Sequence, residues 1–181
     1  MAQITNSTRS CPRPHRSRRG DYWLQEFTAS TAISTAVIRY GDVVQFDVNT
    51  ADASAKIVKS STMANVPNVI SSAFLGIAVQ GSTGDGSTST EKLTVCMAEP
   101  TTEFLWPTKL AGADHTSTLV NKRKAIGYDS TLGMFYMDNA NSTAGDASLV
   151  ITDVIEPGTT NGLVVAKFLS TVTARYVSAA F

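Results

Sequence analysis

From residue 35 onward, short apolar runs alternate with polar, glycine-bearing stretches, a spacing that predicts strands and not helices. Residues 73–98 are the clearest case. Phe74-Leu75-Gly76-Ile77-Ala78-Val79 and Lys92-Leu93-Thr94-Val95-Cys96-Met97-Ala98 flank a ten-residue segment, Gly81 to Thr90, with three glycines and no large side chain. Two β-rich runs across such a segment read as a hairpin with a long, exposed loop. Gly76 inside the first run points to a bulge or a close backbone approach.

The same pattern extends in both directions. Val37-Ile38-Arg39-Tyr40 leads through Gly41-Asp42 into residues 43–48, where Val44, Phe46 and Val48 alternate with polar neighbours. Residues 55–58, 102–106, 125–129 and 134–137 read as further short strands, and three stronger runs follow at 149–155, 163–169 and 171–177. Glu156-Pro157-Gly158 and Asn161-Gly162 supply turn chemistry between them. The sum is about ten to twelve short strands and no long helix, hence an all-β barrel or sandwich, with room for two packed β units. The reading divides the chain into an arm and aromatic anchor, residues 1–27, and a β-rich body, residues 28–181, with a possible subdivision near residue 100. The two halves look loosely alike, with a glycine-containing strand ahead of a glycine-rich loop at Gly76 and again at Gly127.

Composition supports strands: only 17% of residues are charged, and a surface rich in Thr and Val suits sheets better than solvated helices. Net charge is zero, but residues 1–20 hold five of the 15 basic residues and none of the 15 acidic ones. The arm is thus basic and the body acidic. Pro12 and Pro14 prevent a continuous helix there, so the arm is expected to be disordered alone and to order against a partner. Arg9, Arg13, Arg16, Arg18 and Arg19 suit an acidic protein groove or phosphates, with Tyr22 and Trp23 offering base stacking. The acidic body argues against nucleic acid and favours protein docking. Tyr22, Trp23, Leu24 and Phe27 form a patch expected to anchor the arm to the body or to a neighbouring subunit. Lys122, Arg123 and Lys124 form a second basic cluster and a candidate contact.

Catalytic chemistry is hard to find. Of the two histidines, His15 and His115, the second sits in Asp114-His115-Thr116-Ser117. Sequence adjacency is poor geometry for a triad, so a solvated loop histidine is expected. Residues 81–91 miss the spacing of a calcium loop. Cys11 and Cys96 are too few and too far apart for a disulfide framework or zinc site, which fits synthesis in a reducing cytoplasm. Cys96 reads as a buried structural thiol, and Cys11 as an exposed one with some potential for reactivity. No apolar run approaches a membrane span, and the start lacks the apolar core of a secretory signal. No catalytic residue, metal, cofactor, small-molecule substrate or membrane partner is expected.

At Gly41-Asp42-Val43-Val44, Leu75-Gly76-Ile77-Ala78-Val79 and Leu93-Thr94-Val95-Cys96-Met97-Ala98, the chain resembles bacteriophage head decoration (cement) proteins. Thr101-Thr102-Glu103-Phe104 and the runs at 149–155 and 164–169 extend the likeness over residues 35–177; the arginine-rich start is not part of it. The resemblance implies a non-enzymatic virion protein on the outer capsid surface, made in the host cytoplasm. It would clamp neighbouring major capsid subunits and act as a dimer or trimer. A tail or baseplate β-barrel adaptor and a nucleic-acid-binding module using the arm are the alternatives.

Overall fold

The computed structural model describes residues 11–17, 20–29, 38–46, 56–59, 74–81, 92–110, 112–129, 132–139 and 147–169. Their regular secondary structure is almost entirely β-strand, as the sequence pattern requires. In chain order these are β1 (Arg13–Ser17), β2 (Leu24–Ala29), β3 (Val43–Phe46), β4 (Lys56–Lys59), β5 (Phe74–Ala78), β6 (Lys92–Met97), β7 (Thr102–Pro107), β8 (Arg123–Asp129), β9 (Met134–Asp138), β10 (Leu149–Ile155) and β11 (Leu163–Phe168). A 3-10 turn, Ser117–Leu119, precedes β8. The expected strand at 171–177 and the loop at 82–91 lie outside the described residues. Residues 38–40, expected in a strand, form the turn into β3.

The strands form two arrays, a closed barrel and a curled sheet, and the chain passes from one to the other between Met97 and Thr102. The first is a barrel in the order β2-β4-β3-β5-β6. The second is a sheet in the order β1-β7-β11-β10-β8-β9, and a parallel bridge between Thr108 and Met137 curls its β9 edge back onto the end of β7. Without β1, both rings share one connectivity: first strand beside third in parallel, and every other neighbour antiparallel. Residues 1–27 and 28–181 do not separate arm from body here, because β2 runs through the expected boundary.

The correspondence holds residue by residue. Val43 faces Ile77 and Val44 faces Gly76 in the first ring, where Arg123 faces Val150 and Lys124 faces Leu149 in the second. Gly41 N–H donates to the Ala78 carbonyl at 2.8 Å, as Asn121 N–H does to that of Ile151 at 2.8 Å. Both donors have left-handed backbones, φ +87° and +65°, which glycine and asparagine tolerate best. The expected match of Gly76 with Gly127 is therefore wrong. Gly76 corresponds to Leu149, and Gly127 lies on β8, the counterpart of β3.

Alternation places the core. Phe27, Ile38, Val44, Leu75, Ala78, Leu93, Val95 and Met97 fill the first barrel. Their neighbours Val43, Phe74, Ile77, Cys96 and Ala98 point outward, into a second cluster with Phe104, Trp106, Leu149, Ile151, Val164 and Phe168. One core thus serves the second ring and the barrel's outer wall together, and this is why all five residues of β5 are buried. It also corrects the alternation read around Val44: Gln45 is fully buried, not solvent-facing.

Candidate interaction surface

The arm is partly ordered, against its own chain. β1 pairs antiparallel with β7, Ser17 facing Thr102, Arg16 facing Glu103, Pro14 facing Phe104 and Arg13 facing Leu105, with an irregularity between Pro14 and Arg16 that carries His15. An outer edge tolerates proline because its N–H is not needed there. Glu103 is fully buried. Arg16 Nε donates to its Oε2, and Lys167 Nζ lies 3.8 Å from its Oε1. The hydrogen bond to Glu103 raises the Arg16 pKa above its ordinary value. A buried carboxylate needs such partners, and removing one is more damaging than the pair is stabilising. The acidic groove sought for the arm is, for Arg16, a site within this molecule.

The other expected site residues scatter. Arg9, Arg18 and Arg19 lie outside the described residues. Arg13 is half-buried on β1, while Lys122 and Arg123 are exposed and Lys124 half-buried where β8 begins. Phe27 anchors in the barrel interior, but Tyr22, Trp23 and Leu24 stay 36%, 41% and 52% exposed. Three large, consecutive apolar side chains that each leave a third to a half of their surface in water are the least expected feature of the described surface, since each forgoes part of the burial that stabilises a core side chain.

His115 and the two cysteines are withdrawn from solvent to different degrees. His115, expected in solvent, is fully buried. Its Nδ1 and Nε2 lie 3.0 and 3.1 Å from the Thr159 and Leu163 carbonyl oxygens, and its ring occupies the space a Cβ on Gly162 would take. It ties the loop after β7 to the β10–β11 turn. Cys96 is buried as expected, and its thiol is pushed up to about 12, mainly by burial and secondarily by Glu99. Cys11 is half-buried, packed at the α-carbon of Gly41. Burial raises its pKa as well, which disfavours the reactive thiolate and corrects the exposed reading.

A cleft of about 430 Å³ opens where β1, β7 and β9 meet the β10–β11 turn, with Arg13, Lys109, Leu132, Tyr136 and Glu156 among its walls. Lys109 is bound to Asp129 and sits 4.5 Å above the Tyr136 ring, so its charge is already partnered. Among the described residues, no group of three or more His, Cys, Asp or Glu is placed to hold a metal ion, and no helix is long and apolar enough to cross a membrane. Compared with family models, curated proteins and solved structures, the chain matches none of them.

Proposed function

We propose that this chain is a structural virion protein that binds the outer surface of a phage head and cements neighbouring major capsid subunits. One observation carries the reading: two rings of like connectivity are packed together, the outer wall of the first built into the core of the second, and the chain carries a surface run of Tyr22, Trp23 and Leu24. A stiff body repeating one architecture twice suits the bridging of two like neighbours, because a second contact made by the same body is effectively intramolecular. The three resemblance motifs also fall together, on β3, β5 and β6 of the first barrel. In this reading the protein needs no cofactor and turns over no substrate, and it works on the head as a dimer or trimer. The test compares purified heads with and without the protein, by imaging and by survival of heat and osmotic shock. Added density across capsid subunit boundaries and a gain in survival are expected. Equal survival and bare shells would refute the proposal.

A further inference from the structure

The two rings differ at one edge. In the second ring, the side of β7 facing away from β11 is filled twice, by β1 along residues 102–105 and by the β9 bridge at Thr108. In the first ring, the described residues on the matching side of β2 pair with β4 at Thr28 and Ala29. The ladders fix the equivalence: Leu24 pairs with Cys96 as Glu103 lies beside Lys167, and Glu26 pairs with Thr94 as Leu105 pairs with Val165. Among the described residues, no strand covers Leu24 and Glu26 on that side. Met97 N–H bonds the Trp23 carbonyl, so in the alternating antiparallel ladder the peptide groups of residues 24 and 26 point the other way, outward. Side-chain exposure agrees, at 52% for Leu24 and 67% for Glu26. Glu103, at the position equivalent to Leu24, is buried under β1.

We propose that the open half of β2 is a strand-docking edge, which takes an extended segment of a partner protein running antiparallel, as β1 runs on β7. The chemistry of the edge sets that of the segment. Glu26 stands where Leu105 faces Arg13, and its ion pair to Lys92 is long (3.9 Å) and exposed. It calls for a cation. Leu24 and Tyr22 follow along the same face and call for apolar residues two and four positions later in the segment. Charge and apolar pattern together favour such a strand over a second copy's β2, which would bring a glutamate of its own to the pairing.

The probe is a fluorescein-labelled peptide, Thr-Arg-Thr-Leu-Thr-Phe-Thr, titrated into the full chain by fluorescence polarisation. Saturable binding is expected. Glu26→Arg should weaken it by roughly ten-fold, and a peptide with Glu in place of Arg should recover the loss on that variant alone. Leu24→Pro, which removes an outward N–H, should abolish binding. No saturable binding, or equal binding by wild type and both variants, would overturn the proposal. So would light scattering that shows a dimer lost in Leu24→Pro, since the edge would then belong to a second copy. Glu26 is exposed, so its variant keeps the test decisive if Leu24→Pro fails to fold.

Discussion

Replacing Phe168 with alanine is expected to cost about 3–5 kcal/mol and to weaken both rings at once. Phe168 closes β11 in the second ring, yet its ring centroid lies 5.7 Å from Phe74 on the wall of the first barrel. It also meets Phe104 and Trp106 edge-on, each at 5.5 Å. Three aromatic contacts add to the transfer term, and the four side chains are almost wholly buried. The hole would open where β5, β7 and β11 meet, between strands locked by their ladders, so collapse is limited. Calorimetry should register the loss as one transition lowered by roughly 6–20 °C. A shift of a degree or two would mean that the two rings do not lean on this side chain.

Gly76→Ala should be comparably severe, for a different reason. A Cβ there would sit 2.0 Å from the Cys96 carbonyl oxygen, 2.9 Å from its carbon and 3.1 Å from the Ala98 nitrogen. All three are backbone atoms of the neighbouring strand, so no side chain can swing aside. Relief requires β5 to part from β6, at the cost of the Gly76–Met97 pairing and the 2.7 Å bond from Ala98 N–H to the Leu75 carbonyl. We expect a loss of about 3 kcal/mol or more, read from urea unfolding of the soluble fraction. Leu149, the counterpart in the second ring, carries a side chain, so the close approach belongs to the first barrel. An unfolding midpoint equal to that of the wild type would contradict the geometry.

Much of the β framework was legible because its strands alternate or run apolar between turn residues. β5, β6, β10 and β11 lie within a residue or so of where the pattern puts them. β1 was not legible. Pro12, Pro14 and the arginines have no strand periodicity, and what orders this segment is Glu103, a carboxylate 87 residues away. The shared core was also hidden. Local alternation assigns Gln45 to solvent, yet it is fully buried, and Cys96 faces not the barrel interior but the cluster it shares with the second ring. His115 read as a loop residue because its partners are carbonyls of the distant β10–β11 turn. The equivalence of the two rings is carried by register and backbone conformation, with Gly41 standing for Asn121 and Gly76 for Leu149, so almost no residue identity announces it. Tyr22 and Trp23 were visible as an aromatic patch, but their exposure follows from the β2 edge, which no local pattern encodes.

The chain holds one tryptophan in each ring, Trp23 ahead of β2 and Trp106 within β7. Urea titrations of Trp23→Phe and Trp106→Phe, each followed by the fluorescence of the tryptophan that remains and by far-UV circular dichroism, would read each half separately. If the halves melt as one body, the fluorescence and dichroism curves of each variant coincide. Fluorescence and dichroism midpoints that separate within a variant would mean that the rings unfold independently, and the stiff bridging body proposed here would not exist.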